Sequence, residues 1–573
     1  MSAAPPPLTL HRRFGAGAVL RTGTLAPYRR VQTLDGEAHA VRHELAGGSV
    51  AGQWSAHGPS GGRALLSVAH LTDLQLADVQ SPTRFEFFNR EYADPRFAKL
   101  VPVQRPQEAL TSHAVTAMVD TLNRVTGGPV SGAPLQLAVT TGDAIDNAQW
   151  NELQAFLALL DGGNVRLASG SGKYEGVQAA DWPDDVFWRP DGDGPGPLGA
   201  DGLPGRDGPD LFRTAYGFGL HPGLLERALA DFRAGGLRMP WLACYGNHEA
   251  LIQGVGVVTP AVAAAMVGDR KPARLPGGLD LDQALELFTV SGDVFLGGLD
   301  RVITADPSRH PITRRQFVEA HFAAGARPHG HGFTERNRRD GTAYYSHDTP
   351  AARLIALDTT CLAGAADGSL DADQLRWLEE QLVEVHSSYR APDGTVVRTG
   401  HEDRLVVLFS HHGLDTLTNT RAFAADGAPV VTADDVLRLL HRFGNVVVWL
   451  SGHTHTNGVR PRVDPLDSTR GFWEVTTCAV VDWPCQTRLV ELVDGGDGVL
   501  WITCTMVDHD SPAAPAPVPA SQLSGADLAG LHRELAGNVP WAGFDSPLSG
   551  SPSDRNVVLP LRAPFPLRTL PAL

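Results

Sequence analysis

Five short segments of this chain gather acidic, amide and imidazole side chains beside glycine: "TDLQ" (72–75), "GDAID" (142–146), "GNHE" (246–249), "SHHG" (410–413) and "GHTH" (452–455). The donors they offer are Asp73, Gln75, Asp143, Asp146, Asn247, His248, His411, His412, His453 and His455. Oxygen and nitrogen donors without a thiolate suit divalent ions of borderline hardness such as Mn, Fe or Zn, and a set this large implies two ions. His453 and His455 can place two imidazoles on one side of an extended segment, with Gly452 letting backbone come close. His411 and His412 are consecutive, so in extended chain only one should ligate, and His411 is expected to be that one. Each segment alone reads as an ordinary turn after a strand; only the set implies a site.

Positioning such donors needs strands that end where the polar residues begin. "ALLSVAHLT" (64–72), "LQLAVTT" (135–141), "PWLACYGNHE" (240–249), "RLVVLFSHH" (404–412) and "NVVVWLSGHTH" (445–455) are apolar runs that stop at polar residues, the pattern of strands buried on both faces. Helices are expected over 107–125, 148–160, 222–234, 371–386 and 433–443. Alternation of strands and helices indicates an α/β architecture, whose ligands gather beyond the carboxyl ends of the strands. After residue 470 the runs "GFWEVTTCAVV", "TRLVELV" and "GVLWITCTMV" read as further strands completing a second sheet.

The ordered series resembles the calcineurin-like metallophosphoesterase superfamily, whose pattern is D-x-H, G-D-x-x-D, G-N-H-D/E, a later His and G-H-x-H; "YYSHDTPAARLIALDTT" and "DADQLRWLEEQL" resemble the strand and helix such proteins carry between G-N-H-D/E and the later His. The resemblance covers about residues 64–510. It implies a four-layer α/β/β/α sandwich of two mixed β-sheets flanked by helices, in one domain. It further implies a metal-dependent phosphoesterase, hydrolysing a phosphate mono- or diester by attack of a metal-bridging hydroxide. By resemblance Asp73, Asp143 and His455 hold one ion, with Gln75 where the family has His. Asn247, His411 and His453 hold the other, Asp143 bridges, and His248 is the catalytic residue facing the substrate. Asp146 and His412 are placed beside the metal shell or the substrate. Gln75 offers a neutral, harder and weaker donor than imidazole, which favours Mn, Fe or Mg over Zn, with Mn or Fe preferred.

Composition narrows the alternatives. The 573 residues are 42% apolar and 20% charged, as in a soluble globular protein, and the excess of 64 acidic over 48 basic residues gives a net charge of −16. Such a field repels polyanions, so neither nucleic acid nor an anionic membrane is expected as partner, and the expected substrate is a small phosphate ester. Two other functions stay open: a non-catalytic binding protein on the same scaffold, weakened by Gln75, and a nuclease, disfavoured by the charge. Lysine occurs only at Lys99, Lys173 and Lys271, a high-GC bias that suggests a bacterial source. Five cysteines without a C-x-x-C pair indicate buried thiols, and no secretory signal or membrane span is evident, so a cytoplasmic location is expected. The oligomeric state is left open. Residues 1–62 read as an N-terminal extension, 63–510 as the phosphoesterase domain with a Gly/Pro/Asp-rich insertion at about 161–210, and 511–573 as a Pro/Ala-rich tail with a short helix. The "RPHGHGFTERNRRDG" cluster (327–341), Arg84 and Asn89 are weaker substrate-side candidates.

Overall fold

The run Leu405–Ser410 (LVVLFS) carries no polar residue before its last position, and the computed structural model buries all of it as a strand. Its neighbours follow the same rule, and thirteen strands build two sheets. They are β1 (Ala40–Val41), β2 (Arg63–Leu71), β3 (Leu137–Thr140), β4 (Trp241–Leu242), β5 (Tyr345–Asp348), β6 (Ala352–Leu357), β7 (Leu405–Ser410), β8 (Val446–Ser451), β9 (Gly458–Asp464), β10 (Asp467–Thr476), β11 (Gln486–Asp494), β12 (Val499–Asp508) and β13 (Val557–Arg562). The structure describes residues 8–46, 62–98, 100–193, 208–421, 430–496 and 498–573.

One sheet runs β1-β13-β12-β11-β2-β3-β4 and the other β5-β6-β7-β8-β10-β9. Within them β2, β3 and β4 are parallel, as are β6, β7, β8 and β10, so the donor-bearing strand ends of each sheet point one way. Side-chain alternation decides the layering. Leu405, Val407 and Phe409 of β7 share a core with Leu66, Val68 and Leu71 of β2. The intervening Val406 and Leu408 instead meet Trp377, Leu378 and Leu382 of one helix and Val436, Leu439 and Leu440 of another. Five helices cover the sheets: α1 (Thr111–Leu122), α2 (Trp150–Asp161), α3 (Ala372–Val383), α4 (Ala433–Leu440) and α5 (Gly525–Asn538). α3 and α4 cover the six-stranded sheet, while α1, α2 and α5 pack on the seven-stranded one. The fold is therefore a four-layer α/β/β/α sandwich of mixed sheets. Caps set the helix starts: Asp371 accepts from Gln374 N, and Ser524 and Asp527 form a capping box.

Several elements differ from the sequence expectation. The strands after residue 470 do not all complete one sheet: β10 joins β8, whereas β11 and β12 extend the other sheet from β2. The segment 222–234 is helical only over Leu224–Ala228, because Phe232–Ala234 pairs with Gly163–Val165 and the ladder overrides the helical pattern. The strand in 240–249 shortens to Trp241–Leu242, because Gly246 caps the short helix Asn247–Ala250.

The extension and the tail are parts of the sandwich. β1 pairs with β13 at the sheet edge, and the hairpin Arg12–Arg21/Tyr28–Asp35 packs on α5, with Arg29 N donating to Asn538 Oδ1 at 2.7 Å. In the insertion, residues 194–207 lie outside the described residues. The described part is packed: Trp188 joins the main core, and Val177, Trp182, Val186 and Phe187 make a small core with Ala273. Among the described residues no helix is long and apolar enough to cross a membrane.

Candidate metal centre

The donors sit in turns that force an unusual backbone. Asp73 (φ 50°), Gln75 (41°), Asp143 (50°), His453 (68°) and His455 (53°) all adopt the left-handed region, half of the ten such non-glycine residues described. Each such conformation costs about 1–2 kcal/mol and persists only where surrounding contacts over-determine it. Here they do. Gln75 N donates to Asp143 O at 2.9 Å and Leu76 N to Ala144 O at 3.0 Å, zipping the first two loops together. Buried Glu249 accepts from Asp143 N, Ala144 N and Gly246 N at 2.9, 2.7 and 2.7 Å, pinning the second loop to the third. Gly452 cannot be replaced, since a Cβ there would lie 1.9 Å from Thr72 Oγ1 and 2.4 Å from Asp73 Oδ2.

The loops bring their side chains to one point. Asp143 Oδ2 lies 2.9 Å from His411 Nε2 and 3.8 Å from His248 Nε2. His411 Nε2 and His453 Nδ1 are 3.2 Å apart, and His455 Nε2 is 3.2 Å from Asp73 Oδ1, off hydrogen-bond geometry. Ligand atoms of Asp73, Asp143 and His411 fall within 4.8 Å of one another. Asp73 Oδ1, Gln75 Oε1 and Asn247 Oδ1 are buried without a hydrogen-bond partner. Buried oxygens left unpaired are costly unless something outside the chain satisfies them, and three at one imidazole cluster fit divalent cations.

Outer partners set the imidazole tautomers. His411 Nδ1 donates to Thr141 O at 2.8 Å, leaving the Nε2 lone pair for the centre. His455 Nδ1 lies 2.7 Å from Asp482 Oδ2, with the same consequence. Burial opposes charge on both rings, but Asp143 outweighs it for His411 and Asp73 for His455, lifting each to about 9, so a cation bound at either Nε2 would take the place of its proton. His453 goes the other way, well below its ordinary value, through burial and the neighbouring His412 and His411. His412 also lies near His411 and His453, yet its two nitrogens are engaged by Thr359 Oγ1 and Ala366 O, both at 2.8 Å. It has no lone pair to offer.

His248 stands at the rim. Its Nδ1 must donate to Asp146 O, 2.7 Å away, because a carbonyl only accepts, and its Nε2 then accepts from Gln75 Nε2 at 3.3 Å. Asp146 is itself held by buried Arg84 at 2.9 Å, and Arg84 in turn by Glu108 at 2.8 Å. Arg84 thus faces no substrate. Asn89 is also structural, donating to Gln104 O at 2.6 Å and accepting from Val103 N at 2.8 Å. The 327–341 cluster lies elsewhere: His331 is buried and stacked on Trp241 at 3.7 Å between centroids, and Arg338 pairs with Glu319 and Glu335. The centre opens into a cavity of about 390 Å³, and no described residue of the insertion lines it.

Asp482 escaped sequence reasoning, since a lone aspartate in "VDWPCQ" carries no local signal. Replacing it tests its role. Asp482→Asn should lower metal affinity by about 10- to 100-fold, the usual cost of losing a carboxylate behind a ligating histidine, with the fold retained. Metal titration followed by calorimetry checks this, and unchanged affinity would separate Asp482 from the centre.

No protein-family model matches the chain. No curated protein matches it either. Among solved structures it is similar to a dimetal phosphatase from Danio rerio, with 11% identity, a TM-score of 0.32 and coverage of 78% of this chain and 100% of that one. It is also similar to a purple acid phosphatase from yellow lupin (Lupinus luteus) seeds, with 9% identity, a TM-score of 0.28 and coverage of 77% of this chain and 51% of that one.

Proposed function

We propose that the chain is a dinuclear metal-dependent phosphoesterase acting on a small phosphate ester. The observation that carries this reading is the convergence of three unpaired buried oxygens, on Asp73, Gln75 and Asn247, with imidazoles oriented by outer partners around Asp143. In the proposed assignment Asp73, Gln75 and His455 hold one divalent ion, Asn247, His411 and His453 the other, and Asp143 both. Bound there, the ions would polarise phosphoryl oxygens and bring a water's ionisation near neutral pH.

The chain's own residues do the rest. Fixed by Asp146 O through Nδ1, His248 turns Nε2 to the cavity, where a proton taken up in place of the Gln75 Nε2 contact makes the ring an imidazolium placed to protonate a departing oxygen. Tyr92, Leu100, Val101, Pro102, Val103 and Trp541 wall the cavity and exclude water from that oxygen. Nucleic acid is not the proposed partner: a groove tracking a polyanion needs a basic stripe, and among the described residues lining the cavity Arg105 is the only Lys or Arg. The test is reconstitution with Mn, Fe, Zn or Mg and assay against a chromogenic monoester and its diester. Two bound ions without turnover of either ester would overturn the reading in favour of a non-catalytic binding protein.

Gln75 gives a sharper expectation, because one amide meets two demands: Nε2 donates to His248 while Oε1 is left for an ion. Gln75→His should tighten the first site, for zinc most, since imidazole suits zinc better than a neutral amide. Gln75→Ala should weaken that site by about 10- to 100-fold and leave the second largely occupied. Metal titrations of the three proteins, with activity read at each point, decide. Indifference of affinity and rate to both substitutions would remove Gln75 from the shell; Asp78 is no substitute, being paired with Arg309 at 3.3 Å.

A further inference from the structure

Arg105 is the only Lys or Arg among the described residues lining the cavity, and its placement is built rather than incidental. Asn89 grips the preceding backbone through Val103 N and Gln104 O. Arg105 N donates to Glu108 Oε2 at 3.1 Å, and its Nε donates to Asp482 Oδ1 at 2.9 Å. The other oxygen of Asp482 holds His455. One carboxylate therefore ties the guanidinium to a metal-facing imidazole and sets their mutual distance. The side chain is only 7% exposed, yet among the described residues neither Nη has a hydrogen-bond partner. A guanidinium with its Nε satisfied and both Nη atoms free presents the fork that matches two oxygens of a phosphate. The same cavity is lined by Leu100, Val101, Pro102 and Trp541, the last packed on Tyr92 at 5.4 Å between ring centroids.

Resting on the hydrolytic reading above, we infer that Arg105 is a phosphate-anchoring residue and that the substrate class is a phosphate monoester bearing a flat apolar or aromatic group. A monoester has three terminal oxygens and a second negative charge, so it can engage the Arg105 fork while still facing the Asp73, Asp143 and His411 cluster. A diester spends one of those oxygens on its second organic group and carries a single charge. The apolar lining takes the organic part through contact with Trp541, for which aromatic groups are best shaped.

The experiment uses the manganese-loaded full chain, wild type and Arg105→Gln. Against p-nitrophenyl phosphate the substitution should raise KM by about 10- to 100-fold, the worth of a charge-assisted bidentate contact. Against bis-p-nitrophenyl phosphate the change should stay within about threefold, which a general collapse of the His455 site through Asp482 would not allow. Guanidinium ion at low millimolar concentration should restore part of the monoester activity of Arg105→Ala. Inorganic phosphate binding, measured by calorimetry, provides the arm that needs no turnover. If the wild type hydrolyses neither ester, weaker phosphate binding by Arg105→Gln than by the wild type would keep the anchor and sink the hydrolytic reading. Equal phosphate affinity in both proteins, or equal loss on monoester and diester, would overturn the inference itself.

Discussion

Asp143→Asn should reduce turnover by about four orders of magnitude or more, beyond the loss expected for any other single substitution in the chain, because this carboxylate serves every part of the centre. Its Oδ2 is 2.9 Å from His411 Nε2, and its Oδ1 accepts from His248 N at 2.9 Å. Burial alone would favour the neutral acid, but His411 and His248 reverse that and hold Asp143 ionised far below the ordinary carboxylate range. An amide of the same shape keeps the hydrogen bond to His248 N and loses the charge. Two closely spaced divalent ions would then share one fewer negative ligand, and their mutual repulsion would be less screened. The expected result is at most one ion per chain by metal analysis, with an unchanged far-ultraviolet circular dichroism spectrum. Full activity with two bound ions would remove Asp143 from the centre and the dinuclear reading with it.

The charge of Asp143 has a counterpart in the scaffold. Glu249 accepts from the backbone on both sides of it, and burial together with Asp143 pushes the Glu249 carboxyl up to about 7. The pin between the "GDAID" and "GNHE" loops is thus a carboxyl whose ionisation is opposed first by its burial and then by the charge of the centre it braces. Five left-handed donor residues, a glycine with no room for Cβ and a buried acid on backbone N–H groups are consequences of one requirement, that donors from separate strands meet within a few ångström.

Much of this could be read from sequence because two signals coincide. Strands such as β7 and β8 are buried on both faces and so appear as unbroken apolar runs, and the polar residues just beyond them, His411 and His453, are ones the fold brings together. The capped helix α3 was legible for a similar local reason, with Asp371 just before its apolar stripe. What stayed hidden depends on contacts between distant residues. Ala40 pairs with Val557, and no local pattern announces that the first and last strands close the same sheet edge. Arg84 reads in sequence as a substrate-side candidate because the carboxylates of Glu108 and Asp146 that bury it come from other loops. Asp482 and Arg105 are joined across 377 positions, so neither carries a signal until the fold brings them to His455.

His248→Ala should lower turnover by about two to four orders of magnitude, the range for losing a general acid, while two ions remain bound. Three neighbouring histidines are engaged elsewhere and do not take over the role. His412 is locked between Thr359 and Ala366, His411 is turned on Thr141 O, and His455 is turned on Asp482. The size of the loss should depend on the leaving group. A good leaving group such as p-nitrophenolate departs with little help, so its ester should lose least, whereas an alkyl phosphate, whose alkoxide needs a proton, should lose most. A purely structural defect would scale both equally. His248→Gln, which can still donate one hydrogen bond but cannot deliver a proton, should fall with the alanine variant on the alkyl ester and recover partly on the aryl one. The measurement is kcat for the paired esters in wild type and both variants at matched metal occupancy, and a loss independent of the leaving group would leave His248 as a positioning residue only.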